Sequence, residues 1–337
     1  MKNNRRISAL FLALIMMLSC ALASCSHKDK NNISDDECIL TCAGNDISYG
    51  LYRYFFLNYK ANYTEEELAE RPGEIYAEIE EDCFESLCGV YAVVAMCSEY
   101  GISTSDSDIK GQVDATIASI CEQNINEEND KTGVKGYKKQ LAANFMTEDV
   151  LRFVLSVDYA EERLFMKMTG EGGVIKSDDD TVRRAFDEEF VRVLQVYINT
   201  SETDKSYDEC KKLALDIEKK AKSGEDFDTL VANYSNDYTM TRDGYYMPRG
   251  WMNESFEEVA FALEVGETSD VLELADGFHI IKRYDMEDEY VEKNFETLKE
   301  RYLTCKFYDR VDAKAESLKV TKTERFSSIK AEHIALS

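Results

Sequence analysis

The sequence predicts an α+β protein in which mainly helical segments precede and follow a segment with an antiparallel sheet. Residues 38 to about 168 and 287–319 carry apolar side chains at helical spacing. Between them, residues 190–285 have the predicted order β-α-α-α-β-β, which is typical of α+β units with antiparallel strands. With 337 residues, of which 44% are hydrophobic, the chain is long enough for two domains with separate cores.

The first helical region is predicted from apolar and aromatic spacing. The segments "ISYGLYRYFFLNYKANY" and "DCFESLCGVYAVVAMCSEYG" both have this pattern, and the second is predicted to end at Gly101. The segment "TEDVLRFVLSVDYAEERLFMKM" predicts a helix that begins at Thr147. We interpret these aromatic stripes as core. The glycine- and acid-rich residues 169–180 predict a boundary between domains.

The middle segment opens with the β-rich run "FVRVLQVYI", whose two-residue period places Val191, Val193, Gln195 and Tyr197 on one face. Two helices are predicted to open with capping boxes, one formed by Ser206 and Glu209 and one by Ser255 and Glu258. A short helix, "FDTLVANYS", lies between them.

Two strands, "DVLEL" and "GFHIIKRYD", close the segment and are joined by a turn at residues 275–277. The second strand contains His279, one of three histidines in the chain. The alternation predicts that His279 and Ile281 share one face of the sheet and that Phe278 and Ile280 share the other.

The N-terminus has the layout of a secretory signal peptide. A basic start is followed by an apolar run at residues 7–18, which is short for a membrane span. The run ends in "LASC", which looks like a bacterial lipobox with Cys25 as the acylated residue; Cys20 is the second candidate, and a plain secreted protein is the alternative. We therefore expect a signal peptide at 1–24, a tether at 25–37 and a lipid-anchored protein on the extracytoplasmic membrane face.

Net charge and cysteine content limit the classes of partner and cofactor. A formal charge of −26 argues against nucleic-acid binding. Eight cysteines remain beyond Cys20 and Cys25, and no CxxC spacing or nearby histidine suggests zinc. We expect neither a metal nor an organic cofactor. Several cysteines, such as Cys97 and Cys210, fall on apolar helix faces, and the redox state of the eight thiols stays open.

Residues 191–284 resemble the parvulin (PpiC, rotamase) family of peptidyl-prolyl cis-trans isomerases. The resemblance rests on the opening strand and on "GEDFDTLVANYSND", "GYYMPRGWMNESFEEVAFALEVGETSDVLE" and "GFHIIKR", in matching order. The lipobox and the helical flanks make the whole chain similar to PrsA-type foldases, which are related in plan to SurA. The resemblance implies a parvulin domain at 186–285, inserted in a chaperone domain formed by 38–185 and a C-terminal helix at 286–320, with a polar tail at 321–337.

The resemblance also implies the site. Met252 and Phe256 would hold the proline ring, with His279 beneath them as the polar member and Asp237 in hydrogen-bond contact with the histidine network. Phe278 is included as a substrate-binding residue, and Asp276 is assigned a peripheral role.

Two departures from the family pattern affect this site. Gln195 stands where the family has its first histidine; it can donate and accept hydrogen bonds, but it cannot titrate. In "RDGYYM", Met247 takes the place of an aromatic residue on the pocket wall.

The implied activity is isomerisation of X-Pro bonds in exported, unfolded polypeptides by stabilisation of the twisted amide. The alternative is a holdase of the same fold that binds clients with weak catalysis or none. A solute-binding lipoprotein is disfavoured because the chain lacks the repeated βαβ pattern of that class. Dimerisation of the helical region stays open.

Overall fold

The computed structural model describes residues 29–201 and 203–335. The chain divides into two compact units, one formed by residues 172–307 and the other by residues up to 171 together with 308 onward. We call them the sheet unit and the helical unit. The predicted signal peptide, Cys25 and the alternative Cys20 lie outside the described residues.

The N-terminal part of the helical unit begins with a hairpin and continues with helices. Its elements are β1 (Cys38–Cys42), β2 (Asn45–Ser48), α1 (Tyr49–Lys60), α2 (Glu65–Glu70), α3 (Pro72–Glu99), α4 (Ser107–Gln123), α5 (Val134–Ala143) and α6 (Glu148–Thr169). Thr147 caps α6 by accepting a hydrogen bond from Val150 N, as predicted. Gly101, just beyond α3, has a positive φ of 70°, which confirms its predicted place at the helix end.

The sheet unit contains α7 (Asp179–Glu189), β3 (Phe190–Asn199), α8 (Tyr207–Lys222), α9 (Phe227–Tyr234), β4 (Tyr245–Pro248), α10 (Glu254–Ala262), β5 (Leu272–Leu274), β6 (Gly277–Tyr284) and α11 (Asp288–Lys293). Helix α12 (Phe295–Glu316) and strand β7 (Thr321–Lys322) follow. The four strands β4-β3-β6-β5 form an antiparallel sheet, so the predicted α+β class is confirmed. Gly277 starts β6 at φ 147°, where an added Cβ would lie 2.1 Å from Ile198 O.

The two faces of this sheet carry different cores. One face is covered by α8 and α9; we call it the α8 face. Its cluster comprises Leu194, Val196, Ile198, Cys210, Ala214, Ile217, Phe227, Leu230, Phe278 and Ile280. The other face, which we call the α10 face, carries Val191, Val193, Met247, Phe256, Ala260, Leu263 and Ile281. The alternation predicted for β3 and β6 is therefore confirmed.

In this unit one strand was missed and one predicted helix cap was wrong. Strand β4 was not predicted. It is four residues long and includes Pro248, so it is too short to show a two-residue period in the sequence. It pairs with the first residues of β3. The N-cap of α10 is Asn253 rather than Ser255, because the Asn253 side chain accepts a hydrogen bond of 3.0 Å from Ser255 N. The capping box of Ser206 and Glu209 is present.

The ends of the described chain are also more ordered than predicted. Residues 38–48 form strands, joined by Ala43 and Gly44, which both have positive φ, as a tight hairpin requires. Strand β7 pairs with β1, and Phe326 and Ile334 beyond it are buried, so residues 321–335 are not a polar tail. Within 29–37, Asp35 forms a 2.8 Å ion pair with Arg53, so this part is not a free tether.

The sheet unit spans residues 172–307, whereas the predicted domain spans 186–285. The predicted domain boundaries stay a prediction. Residues before 186 and after 285 pack within the sheet unit. The ring of Phe186 lies 4.9 Å from Phe190 and 5.7 Å from Phe295, and the Phe190 ring lies 6.2 Å from Tyr302. These contacts attach α7 and the first part of α12 to β3.

None of the helices within residues 29–335 combines the length and apolar character that a bilayer span requires. The eight cysteines in the described part of the chain are free thiols. Cys97 and Cys210 are buried, in agreement with the interpretation that they serve as small apolar residues.

Helix α6 carries a pair of buried carboxyl groups in the helical unit. Both Asp158 oxygens and Glu161 Oε2 have no hydrogen-bond partner among the described residues, while Glu161 Oε1 accepts from the Tyr308 hydroxyl. Burial raises the pKa of Asp158 to about 7, with the charge of Glu161 contributing, and burial raises the pKa of Glu161 to about 7. In the folded protein both groups are therefore mainly protonated below about pH 7.

We expect the helical unit to lose stability as pH rises from about 4 to 7. In that window the folded state binds more protons than the unfolded state, whose carboxyl groups have a pKa near 4. A shift of three pKa units corresponds to about 4 kcal/mol. Asp158→Asn should therefore raise the urea midpoint at pH 8 and flatten its pH dependence, whereas Glu162→Gln, at an exposed position of the same helix, should change neither. Equal pH dependence in both variants would contradict this interpretation.

Candidate functional site

His279 lies on β6, directly opposite Tyr197 of β3, and only 5% of its surface is exposed. The imidazole is stacked on the Tyr197 ring, with centroids 4.7 Å apart and planes inclined by 18°. The Phe256 ring approaches it edge-on, with centroids 6.0 Å apart. The imidazole is thus held between two aromatic rings on the α10 face of the sheet.

Gln195 connects His279 to Asp237. Its Nε2 donates to Asp237 Oδ2 at 2.6 Å, and its Oε1 lies 2.8 Å from His279 Nδ1. Because the Asp237 carboxylate can only accept hydrogen bonds, the Gln195 amide must point its nitrogen towards Asp237 and its oxygen towards His279. The Gln195 oxygen is an acceptor, so His279 Nδ1 must carry the proton. The structure brings these three predicted site residues together, and Asp237 acts on the imidazole through Gln195 rather than directly.

The Asp237 carboxylate is the centre of this polar network. Besides the bond from Gln195, it accepts hydrogen bonds from the Tyr245 hydroxyl at 2.8 Å, from Thr239 N and Oγ1 at 3.0 and 2.8 Å, and from Met240 N at 3.1 Å. Burial acts to raise its pKa, but the bonds from Tyr245, Thr239 and Gln195 lower it overall. Burial raises the pKa of Tyr245 to about 12, so this phenol remains a donor at neutral pH.

The second ring nitrogen of His279, Nε2, lies 3.2 Å from Asp276 Oδ1. Since Nδ1 already carries the proton, this contact is an ion pair only when the imidazole is doubly protonated. Burial lowers the pKa of His279, although Asp276 and Asp237 oppose the shift. The neutral imidazole is therefore the principal state at neutral pH, and the role assigned to Asp276 stays peripheral.

The apolar part of the predicted site lies on the same face. Phe256 and Met247 are buried in the cluster of the α10 face, with 4% and 0% of their surfaces exposed. Met252 is partly buried against this cluster. The apolar surface beside the imidazole is thus formed by α10 and by the loop that precedes it.

The loop that carries Met252 is fixed by the buried carboxylate of Glu257. Its two oxygens accept hydrogen bonds from Gly250 N at 2.7 and 2.8 Å, and Oε1 accepts from Met252 N at 2.8 Å. Gly250 has a positive φ of 92°, which a glycine adopts without strain. A helical residue thus holds the backbone of Met252 in place.

Phe278 does not belong to this arrangement, and its assignment to the substrate site is corrected. It is fully buried in the cluster of the α8 face, with its ring 5.1 Å from Tyr207. The physical reason is strand alternation: neighbours on β6 point to opposite faces, so Phe278 and His279 cannot line one surface.

Sequence reasoning missed Tyr197, Tyr245 and Glu257. Tyr197 was placed on the correct face by alternation, but its stacking on His279 depends on strand register. Tyr245 lies on the unpredicted strand β4. Glu257 belongs to the "SFEEVAFAL" segment, where its position on a partly apolar helix face gave a weak signal.

The described residues contain no group of three or more His, Cys, Asp or Glu side chains arranged to hold a metal ion. The site combines an apolar surface, a neutral imidazole and a set of fixed hydrogen-bond dipoles. None of its predicted members is a Ser, Cys or Lys nucleophile. Such a site is suited to binding and orienting an apolar group, rather than to covalent chemistry.

Comparison with known proteins identifies relatives of this chain. Foldase protein PrsA of Bacillus subtilis (strain 168) is 36% identical over 115 residues, which cover 33% of this chain and 39% of that protein. Foldase protein PrsA of Caldanaerobacter subterraneus subsp. tengcongensis is 26% identical over 295 residues, which cover 82% of each chain. The match to the Bacillus subtilis protein thus spans about two fifths of its length.

A crystal structure of PrsA from Bacillus anthracis is similar at 18% identity, covering 68% of this chain and 95% of that one, with a TM-score of 0.34. Residues 196–285 match the family described as Rotamase: PPIC-type PPIASE domain. They contain β6 and the last four residues of β3, together with His279, Asp237, Met252 and Phe256. Residues 196–285 therefore form a domain of the PpiC-type (parvulin) rotamase family, in a chain whose relatives include foldases named PrsA.

Proposed function

We propose that the rotamase domain accelerates cis–trans isomerisation of X-Pro bonds in unfolded polypeptides, within a foldase anchored on the extracytoplasmic membrane face. The observation that carries the proposal is the position of His279. Its imidazole is fixed by Gln195 and Tyr197 and lies beside the apolar surface of Phe256 and Met252. This combination fits an apolar proline ring with a polar amide next to it.

The reaction needs no covalent step. Rotation about the prolyl amide crosses a barrier of about 20 kcal/mol, because the twisted amide loses its conjugation. A catalyst lowers this barrier by binding the twisted form more tightly than the planar forms. Met252 and Phe256 would hold the pyrrolidine ring, and the Asp237–Gln195–His279 network would present fixed dipoles in a water-poor surface.

Gln195 is compatible with this mechanism because no proton transfer is required. It makes the two hydrogen bonds that link Asp237 and His279, one as a donor and one as an acceptor. A second histidine would bring a second titratable ring to the site. The Gln195 side-chain amide, in contrast, stays neutral at every pH and links the Asp237 carboxylate to the His279 imidazole.

A holdase without significant catalysis is the second candidate. One observation favours it: His279 and Phe256 are almost fully buried, so little of their surface is accessible to a client. Rate acceleration of an X-Pro tetrapeptide, lost in His279→Ala, would support the isomerase. No acceleration, together with suppressed aggregation of an unfolded client, would support the holdase and contradict the isomerase.

We further propose that acylated Cys25 is the membrane anchor. Labelled palmitate should be incorporated into the chain in a lipoprotein-processing bacterium, and Cys25→Ser should abolish the label, because the thioether to lipid requires the thiol. Cys20→Ser is the matched control and should keep the label. Loss of the label in Cys20→Ser alone would instead assign the anchor to Cys20.

A further inference from the structure

Arg301 on α12 is a partly buried cation in the sheet unit. Its Nη1 donates to the backbone oxygen of Tyr246, and its guanidinium lies 4.6 Å from the Trp251 ring centroid. Within residues 29–201 and 203–335, Nε is buried without a hydrogen-bond partner and no carboxylate forms an ion pair with this side chain. Burial lowers the pKa of Arg301, which agrees with an uncompensated charge.

This lack of a counter-ion contrasts with three other cations of the sheet unit. On the same helix, Lys299 pairs with Asp179 at 2.6 Å and Lys306 pairs with Glu189 at 2.5 Å. On β3, Arg192 pairs with Glu287. The chain has 66 acidic residues, so carboxylates are abundant. Since a desolvated charge is costly unless it is paired, an uncompensated guanidinium indicates a place for an external anion.

Arg301 borders the proposed proline site. It lies on Trp251, which immediately precedes Met252, and Glu257 fixes this loop by its hydrogen bonds to Gly250 N and Met252 N. It also lies close enough to Tyr245 for a phenolate there to affect the Arg301 pKa, and the neutral Tyr245 hydroxyl donates to Asp237. An anion held at Arg301 would therefore be next to a proline bound against Met252 and Phe256.

We propose that Arg301 and Trp251 form a subsite for a carboxylate of the client chain, on a residue that flanks the bound proline. The inference rests on the proposed function. The guanidinium supplies N–H donors for a carboxylate, and Nη2 makes no bond to the described residues. The Trp251 ring, 42% exposed, orients the guanidinium by a cation–π contact and offers apolar surface to the flanking residue.

The test compares X-Pro peptides that carry Glu, Gln or Lys immediately before or after the proline. Binding of fluorescently labelled peptides is measured by anisotropy, and isomerisation of the same peptides by exchange NMR. In at least one position, the wild type should bind the Glu peptide about tenfold more tightly than the Gln peptide. This preference would oppose the net charge of −26, which repels acidic peptides at long range.

Arg301→Met should remove the preference for Glu and change the affinity for the Gln peptide less than twofold. Lys299→Met, which removes a compensated cation from the same helix, should keep the preference. If the methionine variant is unstable, Arg301→Lys supplies the test, because it keeps the charge and should retain part of the preference. Equal affinity for Glu and Gln peptides in both positions, or a preference that survives in Arg301→Met, would overturn the subsite.

Two further outcomes are distinguishable. Peptides that are neither bound nor accelerated would overturn the proposed function and the subsite together, whereas peptides accelerated without charge preference overturn the subsite alone. A change in Trp251 fluorescence with sodium acetate but not with sodium chloride, in the absence of any peptide preference, would assign the site to a free anion and overturn its role in client binding.

Discussion

Asp237→Ala is expected to destabilise the sheet unit by about 3–5 kcal/mol and to abolish isomerisation. The carboxylate accepts from Gln195, Tyr245, Thr239 and Met240, so its removal leaves several part-buried donors without an acceptor. It also frees Gln195 from the orientation that fixes the His279 tautomer. Loss of stability and loss of activity should therefore occur together.

Trp251 allows this stability to be measured in the whole chain. It is the only tryptophan, and it lies in the sheet unit, so its fluorescence reports unfolding of that unit during a urea titration. Asp243→Ala is the matched control, since Asp243 is an exposed residue of the same loop. An Asp237→Ala variant as stable as this control would show that the network is dispensable.

The pH dependence of the same network has a defined sign. Because the folded-state pKa of Asp237 is lowered, its contribution to stability is present above the unfolded pKa of about 4 and is lost as pH falls through the folded value. The pH dependence has the opposite sign for Asp158 and Glu161. Their pKa values are raised in the folded state, so their ionisation destabilises the helical unit as pH rises. The two units should thus differ in their pH of maximum stability.

Met252→Lys is expected to lower kcat/KM for an X-Pro peptide about 100-fold, which corresponds to about 3 kcal/mol of transition-state stabilisation. Met252 is only partly buried, so a lysine stem can occupy the same volume while its amine reaches water. The fold should tolerate this change, but a charge would stand where the proline ring is expected to bind.

Two variants make this result specific. Met252→Leu keeps an apolar side chain and should retain activity within about threefold, since similar volumes are tolerated. Met166→Lys makes the same chemical change at a 56% exposed position of α6 and should leave the rate unaltered. Full activity in Met252→Lys would exclude this side chain from the site.

The sequence predicted most of what local pattern determines. Alternation assigned His279 and Ile281 to one face of the sheet and Phe278 and Ile280 to the other, and the starts of α6 and α8 followed from Thr147 and Ser206. Strand faces and helix starts depend on neighbours within a few residues, so a short stretch of sequence is enough to predict them.

The features that sequence reasoning missed depend on distant partners. Strand β4 exists because its four residues pair with β3, about fifty positions earlier, and β7 exists because it pairs with β1. The cap of α10 at Asn253 is an exception, because its side chain accepts from Ser255 N, only two residues away. The error at Phe278 was of another kind, since alternation alone already excluded it from the face of His279.

Exchange NMR of an X-Pro peptide in the presence of the whole chain shows whether the surface formed by Met252, Phe256 and His279 binds proline and lowers the barrier to rotation. Catalytic amounts of protein are expected to accelerate cis–trans exchange, and the peptide is expected to shift the Met252 methyl resonance. Exchange as slow as in buffer, with the Met252 resonance unmoved by saturating peptide, would contradict both expectations.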